Sequence, residues 1–556
     1  MGARINKGAV AGLVVLVAAS AAAETPDEAI ALVPGDAEAA VVVPNLKKAS
    51  DDLMLCIERT ERNEALLGGR PLDLFKARLG LSVGLRDEGA LVAVLRRGAD
   101  GADEPRALLL VPVNNAQEFL EGNFKPTPEN DGSLLPASGG RLFAKAIGRH
   151  VALAPTAAGL DGIGPDPLPA IGLRERLGVR AARMIDRGDL FLWASGDAAR
   201  RGLARAEIEV QRAGEQAAPA LAGIEASRRW ANGLADAIIS VDFDALGIMP
   251  RGVATSVAES ELSGLLGGGS PTAAATLSRL PRNPFYLAVA MDIAGLGGWA
   301  VLDRLRALGA AIDWLPAWMR GADAIQFGVY PSKLGVAVGG VLNDSALVLL
   351  SADPESLRNG FRDTLLASAG ETAGVRIEPA WEDDKSLKGG DKVDAFEVKD
   401  TPLPGAKDSN AAAAGRLVRS ILLGNRGFHG FARTVPGALV VTFSQRPDVL
   451  GRATDAAVGG DALANDEVVR AMHDFMLARP DVEAYIGVGQ LGRLLKQVAQ
   501  LVPGGADAML PEIDVATEPI GYALEVSDGS IEAASVMPAS VVGLFIDAAR
   551  RRIMQP

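Results

Sequence analysis

The stretch VEAYIGVGQLGRLL, Val482–Leu495, decides between two folds. It places Gly487, Gly489 and Gly492 in the pattern G-x-G-x-x-G, after an apolar run and before a helical pattern. In a dinucleotide-binding fold such glycines let the backbone approach a pyrophosphate at the start of a helix. That fold also needs a second buried parallel strand with an acidic end about 20 residues on. The chain is instead broken by proline and glycine at 503–505, so we predict a plainer structural unit and no nucleotide cofactor.

Three other stretches share this layout, and none needs the glycines. Each has a polar turn, an apolar run typical of a buried strand, a polar residue, and then a helical pattern. The polar residues, which we predict as helix caps, are Asn45, Asp197, Asp292 and, in the stretch quoted first, Gln490. The other stretches are PGDAEAAVVVPNLKKA (Pro34–Ala49), RGDLFLWASGDAARRGL (Arg187–Leu203) and PRNPFYLAVAMDIAGLG (Pro281–Gly297).

Further repeats follow the same order in both halves of the chain. ALLLVPVNNAQEFLEGNF (107–124) aligns without gaps on SALVLLSADPESLRNGF (345–361), with Val111 on Val348. FAKAIGRHVALA (143–154) aligns on FARTVPGALVVT (431–442). We interpret this as a tandem duplication, with lobe 1 at 24–268, a Gly/Ser/Pro-rich linker at 269–279 and lobe 2 at 280–556. Chance similarity among alanine-rich apolar runs is the alternative.

The pattern within each half predicts an α+β fold. A strand and a helix are followed by hairpin-like strand pairs, such as the two apolar runs that flank a Gly/Asp-rich turn in 89–113. Strands joined in this way are antiparallel, so we expect two tandem related lobes of antiparallel sheet with helices covering one face. Residues 371–410 are polar and have no counterpart in lobe 1. We predict a solvated β-hairpin insertion there, and one place to look for function.

The N-terminus predicts export. Arg4 and Lys7 precede an apolar run of about a dozen residues and an Ala-Ala-Ala sequence at 21–23, which is the layout of a secretory signal peptide. The run is short for a membrane span, although an uncleaved anchor is an alternative interpretation. We therefore predict that residues 1–23 are removed, that no stable transmembrane segment remains, and that the chain is periplasmic or extracellular.

Composition excludes some partners. The formal net charge is −13, and it becomes −15 when Arg4 and Lys7 are removed, so the chain lacks the positive field that nucleic acid requires. The single cysteine, Cys56, cannot form an intramolecular disulfide. Its spacing in LKKASDDLMLCIERTERNEALL predicts a buried position on the inner stripe of an amphipathic helix.

One candidate catalytic residue stands out. Ser82 lies in GLSVG (80–84), a literal G-x-S-x-G. A nucleophile elbow joins a strand to a following helix, whereas Ser82 follows a predicted helix and precedes a predicted strand, where Gly80 fits a helix C-cap. His150 is the conceivable base, but it begins the predicted strand HVALA. Ser82 is kept as the candidate for a serine-type hydrolase.

Other motifs predict no ligand site. His150, His429 and His473 do not have the spacing of a metal-binding helix, and no metal site is predicted. The acidic stretch 381–394 lacks the ligand pattern of a calcium loop and predicts a solvated surface. The Arg-Gly-Asp tripeptide at 187–189 precedes an apolar run and is predicted to be a turn.

Taken together, the strand openings resemble a class of large, uncharacterised exported bacterial proteins. Members begin with a strand of the form lP-x-D-(x)-a-x-x-v-x-v-x-x-L and repeat it after hairpins and helices, as LVPGDAEAAVVVPNL, RLPRNPFYLAVAMDI and ARPDVEAYIGVGQL do here. The resemblance covers nearly all of the mature chain. It implies an exported α+β repeat protein of a Gram-negative-like cell, and it assigns no catalytic residues.

The sequence favours a binding protein over an enzyme. A duplicated scaffold without a convergent catalytic set is typical of extended or two-lobed binding surfaces. We expect a periplasmic or secreted non-enzymatic protein that binds another protein, a polymer or a small molecule, between its lobes or on a sheet face. The alternatives are a serine-type hydrolase that uses Ser82 and a structural component of the cell envelope.

Overall fold

The chain folds into two compact units. The computed structural model describes residues 24–60, 69–81, 83–98, 106–127, 132–136, 140–164, 181, 183–212, 218–267, 269, 276–307, 315–372, 375–388, 390–403, 418–501, 513–527 and 529–554. The first unit contains the chain up to Gly264 with Gly529–Glu532, and the second contains Leu265–Asp528 with the chain from Ala533 onward. The predicted signal peptide, 1–23, lies outside the described residues.

The boundary differs from the predicted linker at 269–279. Residues 268 and 270–275 lie outside the described part of the chain, but 276–279 pack on the second unit. The Arg279 backbone N–H donates to Gln326 Oε1 at 3.0 Å, and Gln326 Nε2 donates to the Thr276 carbonyl at 2.8 Å. The end of the predicted linker is therefore part of a fold.

The first unit alternates strands with helices, and each element has a local cause. Helix α1 begins with a capping box in which Thr25 and Glu28 satisfy each other's backbone N–H groups. Helix α3 ends at Gly80, whose φ of 69° is the left-handed conformation predicted for it. The elements are α1 Pro26–Ala31, β1 Ala37–Val43, α2 Lys48–Arg59, α3 Pro71–Leu79, β2 Leu91–Arg96, β3 Arg106–Pro112, α4 Ala116–Asn123, β4 Phe124–Pro126, β5 Ser133–Pro136, β6 Leu142–Ile147, β7 His150–Ala154, β8 Leu190–Ser195, α5 Gly196–Arg212, α6 Ala218–Gly233, β9 Leu234–Asp244, β10 Gly247–Ser256 and α7 Glu261–Leu266.

Its strands pair in the order β10-β9-β8-β1-β2-β3-β7-β6-β5-β4, and every pair is antiparallel. The strands of the first two repeated openings, β1 and β8, are neighbours, and Val42 faces Phe191 across them. The β2–β3 hairpin extends the sheet on one side of this pair, and the β9–β10 hairpin extends it on the other.

Both faces of this sheet are buried around β1, which corrects the expectation that helices cover one face. Val42 belongs to a core with Ile30 of α1, Phe191 and Trp193. The next residue, Val43, points to the opposite face and belongs to a core with residues of α3 and α4, including Phe75 and Phe119. The nearly unbroken apolar run of β1 follows from this two-sided burial.

The second unit has its own set of strands and helices. They are β11 Leu287–Asp292, α8 Trp299–Ala307, β12 Ala324–Val329, α9 Val336–Gly339, β13 Ala346–Leu350, α10 Pro354–Ala367, β14 Gly370–Thr372, β15 Val375–Ser386, β16 Lys392–Pro402, β17 Phe428–Val435, β18 Ala438–Thr442, α11 Pro447–Ala457, α12 Glu467–His473, β19 Val482–Ile486, α13 Val488–Leu501, β20 Ile520–Ser527, β21 Ser530–Pro538 and α14 Ala539–Met554. The strands of the other two openings, β11 and β19, are again antiparallel neighbours.

The strand order of the second unit matches that of the first. Its strands pair antiparallel in the order β20-β19-β11-β12-β13-β18-β17-β16-β15-β14. The aspartate that precedes β8 in the first unit and the one that precedes β19 in the second make the same kind of hydrogen bond. Asp189 Oδ2 accepts the Phe243 N–H at 3.0 Å, and Asp481 Oδ2 accepts the Val526 N–H at 2.6 Å.

The strand register corrects one sequence alignment by a single residue. Val111 faces Val151 and Leu349 faces Leu439, so Val111 corresponds to Leu349 and the predicted match with Val348 is wrong. With this shift the helix caps coincide, because Asn115 caps α4 and Asp353 caps α10.

The segment predicted as an insertion is a β-hairpin, as expected. Strands β15 and β16 pair along nearly their whole length, and exposure alternates along β15. It does have a shortened counterpart, since β16 pairs with β17 as β5 pairs with β6. Its inner face is not solvated, because Trp381 and Phe396 pack against Phe361 of α10. Residues 404–410 of the predicted insertion lie outside the described residues.

The described part of the chain also answers two smaller expectations. Cys56 is fully buried on α2, as predicted, and burial raises the pKa of its thiol to about 11. No helix among the described residues combines the length and apolarity needed to cross a membrane.

Candidate functional site in the second unit

A cavity of about 370 Å³ lies at one end of the second-unit sheet, where chain segments before β11 and β13 and after β12 meet helices α11 and α13. We call it the basic cavity. Its lining residues are Pro281, Asn283, Pro284, Tyr330, Pro331, Lys333, Asp344, Ala346, Val449, Arg452, Gln490, Arg493 and Val515. Its volume falls within the range of about 300–1,000 Å³ that is common for small-molecule sites.

Tyr330 lines this cavity and carries a buried polar group. Its side chain is 4% exposed, and its hydroxyl has no hydrogen-bond partner among the described residues. Gly328 makes room for the ring, because a β-carbon there would lie 2.4 Å from the Tyr330 hydroxyl. Burial raises the pKa of Tyr330, so the hydroxyl keeps its proton and can donate a hydrogen bond. An unmet buried donor costs about 1–3 kcal/mol.

The buried carboxylate at the cavity already has its partners. Asp344 is 4% exposed and accepts from Arg446 Nη1 at 3.1 Å through each oxygen. Asn343 Nδ2 also donates to it at 2.8 Å. Arg446 in turn donates to Asp448 Oδ2 at 2.7 Å. Asp344 is therefore neutralised by a neighbour and does not oppose an incoming anion.

Positive charge is in surplus around the cavity. Lys333 and Arg452 both approach Asp448, at 3.7 and 3.8 Å, although that carboxylate is already bound by Arg446. Arg493 has no carboxylate within 4 Å among the described residues. Four cations thus face two carboxylates in a chain whose net charge is −13. Arginine and lysine in this setting bind carboxylate or phosphate through charge-assisted hydrogen bonds.

A second cavity, of about 380 Å³, adjoins the first. The two share Asn283, Pro284, Gln490 and Val515 as lining residues. We call the second one the neighbouring cavity. Its other lining residues are Arg282, Phe285, Asp466, Val468, Val469, Gly487, Ala516, Thr517, Glu518 and Pro519.

The G-x-G-x-x-G glycines serve packing around these cavities. A β-carbon on Gly487 would lie 1.9 Å from the Phe285 carbonyl oxygen, and one on Gly492 would lie 2.7 Å from the Ile513 side chain. A β-carbon on Gly489 would lie 2.5 Å from the Val515 carbonyl oxygen. The glycines let the segment 513–515 lie directly on α13, which positions the shared lining residue Val515. No second parallel strand follows α13 in the described chain, since β20 pairs antiparallel with β19.

The predicted caps have mixed outcomes. Asn45 accepts the Lys48 N–H at 3.1 Å, although the N-cap residue of α2 is Lys47. Asp292 accepts the Gly295 N–H at 2.8 Å in a turn, and α8 begins only at Trp299, so Asp292 does not cap a helix. At α5 the hydroxyl of Ser195 accepts the Ala198 N–H, and Asp197 is already in the helix. Gln490 also lies inside its helix, where it lines both cavities.

Ser82 lies outside the described residues, and its candidate base is engaged elsewhere. His150 begins β7, is 4% exposed, and its Nε2 lies 3.1 Å from the Ala90 carbonyl oxygen and 3.5 Å from Glu24 Oε2. The elements around Ser82 run helix to strand, from α3 to β2, as predicted.

Two polar clusters escaped the sequence analysis. In the first unit, Asp189 of the Arg-Gly-Asp tripeptide is buried and ion-paired with Lys48. In the second, Glu483 accepts from Tyr485 at 2.8 Å and lies 2.9 Å from Nδ1 of His473, which raises the histidine pKa. Within the described ranges, His, Cys, Asp and Glu side chains form no group of three or more that could hold a metal ion.

Comparison with known proteins places the chain in no family. No family model matches it, and no curated protein matches it. Two solved structures are similar, crystal forms IV and III of TP0453, each 9% identical and each covering 50% of this chain. They are matched over 97% and 98% of their own length, with TM-scores of 0.21 and 0.18. Likeness at this level supports no statement about the fold or role of this chain.

Proposed function

We propose that the chain is an exported binding protein and that the basic cavity of its second unit holds a small anionic ligand. The observation that carries the proposal is the surplus of positive charge around the basic cavity, which Lys333, Arg452 and Arg493 line. An anion in the cavity would neutralise this surplus.

The lining chemistry supports binding over catalysis. Proline, alanine and valine make up much of the wall, and the polar lining residues are amides, cations, one tyrosine and the engaged Asp344. In the described part of the chain, no serine, cysteine or histidine lines this cavity. A mostly apolar wall with a few convergent polar groups is typical of a small-molecule site.

Calorimetric titration with inorganic phosphate and with citrate tests the proposal. We expect saturable binding of at least one of them to the wild type, and a loss of affinity of about tenfold or more in Arg452→Gln/Arg493→Gln, since a hydrogen bond to a charged group contributes about 1.5–3 kcal/mol. Binding should weaken as salt is added.

The matched control is Arg376→Gln, which removes an arginine that is paired with Glu371 on the exposed side of the β14–β15 hairpin. Its affinity should equal that of the wild type. Absence of binding for both anions, or equal affinity in the double variant and the wild type, would show that the basic cavity is not an anion site.

A further inference from the structure

The basic and neighbouring cavities together point to a ligand with two ends. Resting on the proposed function, we propose that the ligand is zwitterionic, a short peptide with free termini. Its carboxylate would lie in the basic cavity and its ammonium group in the neighbouring cavity.

The first step of the argument is continuity. Asn283, Pro284, Gln490 and Val515 line both cavities, so one molecule can contact all four while extending to either side. Asn283 and Gln490 each carry an amide that offers both donors and an acceptor. Such groups pair with a peptide bond, which also carries one donor and one acceptor.

The second step is the change of charge between the cavities. The basic cavity has three lining cations, of which Arg493 has no ion-pair partner among the described residues. The neighbouring cavity has two acids and one cation, namely Asp466, Glu518 and Arg282.

The two acids differ in how far they are engaged. Asp466 lies 3.6 Å from Arg282 and its Oδ1 caps helix α12. Glu518 accepts a hydrogen bond from Ser540 at 3.0 Å, and within the described residues no cationic nitrogen lies within 4 Å of it. Glu518 is therefore the carboxylate available to an ammonium group.

The third step is the apolar wall between the charged ends. Phe285 and Val469 are buried at the neighbouring cavity, and Pro284 and Val515 stand where the two cavities join. Such a wall favours hydrocarbon side chains by about 25 cal/mol per Å² of apolar surface removed from water. A dipeptide with aliphatic side chains presents an anion, a peptide amide, apolar groups and a cation in the matching order.

Three related probes test the inference by calorimetric titration: leucyl-leucine, its N-acetyl form and its C-terminal amide. We expect the free dipeptide to bind at least tenfold more tightly than either blocked form. Glu518→Gln should weaken binding of the free dipeptide about tenfold and leave binding of the N-acetyl form unchanged. Glu371→Gln, at an exposed acid of the β14–β15 hairpin, is the control and should change neither.

The outcomes separate this inference from the proposed function. If the N-acetyl form binds as tightly as the free dipeptide, or if no dipeptide form binds while phosphate or citrate does, the ligand is a simple anion and the zwitterion inference is wrong. If neither the dipeptide nor the inorganic and organic anions bind, the proposed function itself is wrong.

Discussion

Gly489 lies where helix α13 and the segment 513–515 approach closely, and only a hydrogen atom fits in place of a side chain there. A β-carbon there would lie 2.5 Å from the carbonyl oxygen of Val515 and 2.6 Å from that of Asp514, both backbone atoms. We expect Gly489→Ala to lower the free energy of unfolding by about 1–3 kcal/mol and to weaken anion binding, because the segment that contains Val515 must move. Denaturant titration and calorimetry measure the two effects.

Gly451 is the matched control for this substitution. It also lies in a helix, α11, but a β-carbon added to it would have no heavy atom of the described residues within 4 Å beyond its own helix backbone. Gly451→Ala should stabilise the protein by about 0.5–1 kcal/mol, the difference in helix propensity. If both alanine variants were stabilised alike, close packing would not explain the G-x-G-x-x-G pattern.

Asp242 predicts a pH dependence of stability in the first unit. Burial, and then the neighbouring charge of Asp189, raise the pKa of Asp242 to about 6. In the unfolded state the pKa of Asp242 is about 3.9. Between about pH 4 and pH 6 the folded state therefore keeps a proton on Asp242 that the unfolded state has lost. The stabilisation from this proton is complete below pH 4 and is lost as the pH rises through 6.

Asp242→Asn tests this expectation because asparagine cannot ionise. Relative to the wild type, we expect the variant to gain stability between pH 4 and pH 7, by about 1 kcal/mol or more. Denaturant titrations at several pH values measure the difference. A constant difference across this range would mean that Asp242 does not titrate there.

At the scale of elements, the β15–β16 hairpin depends on an aromatic cluster. The ring centroid of Phe361 in α10 lies 5.0 Å from that of Trp318, 5.1 Å from that of Phe396 and 5.8 Å from that of Trp381. We expect Phe361→Ala to cost about 3–5 kcal/mol, measured by denaturant titration followed through tryptophan fluorescence. Phe545→Ala is the control, because Phe545 is 59% exposed, and it should change stability by less than about 0.5 kcal/mol. Equal effects of the two would contradict the packing described.

The sequence predicted elements well where the signal was local. The strands of all four openings, β1, β8, β11 and β19, were found from short apolar runs followed by helical patterns. The alignment of β3 with β13 failed by one residue because both strands are uninterrupted apolar runs without a polar landmark. The capping residues Asn115 and Asp353, which follow those strands, carried the signal that fixes the register.

The candidate site could not be predicted in the same way. Lys333, Arg452 and Arg493 come from three segments more than 40 residues apart, and each alone resembles an ordinary solvated charge. Only the folded chain shows that they surround one cavity and that the buried hydroxyl of Tyr330 lacks a partner in the described residues. The G-x-G-x-x-G motif does lie beside the cavities, but its glycines serve packing. They let the segment that contains Val515 pack on α13.

For the whole molecule, we propose that the two units arose by tandem duplication. Their strand orders match through nine positions from β9 and β20 outward, and Asp189 and Asp481 make the same hydrogen bond at equivalent positions. The β15–β16 hairpin is then an elongated form of β4–β5. The basic cavity lies in the second copy, so duplication would have left that unit free to acquire a ligand site.

Because the basic cavity lies in the second unit, a bound anion should stabilise that unit against unfolding and leave the first unit unchanged. With phosphate or citrate at about 100 times its dissociation constant, the second unit should gain about 2.7 kcal/mol. In scanning calorimetry we expect the transition that Phe361→Ala lowers to move up by about 4–5 °C. A ligand-induced shift that persists in full in Arg452→Gln/Arg493→Gln would place the binding site elsewhere.

The most direct test of the basic cavity is the position of a bound anion. Crystals grown with selenate, a tetrahedral anion whose selenium scatters anomalously, would show that position without bias from the protein atoms. The account predicts a strong selenium peak in the basic cavity, with selenate oxygens within hydrogen-bonding distance of the Arg452 and Arg493 guanidinium groups. Selenium peaks at other sites with none in the basic cavity would contradict it.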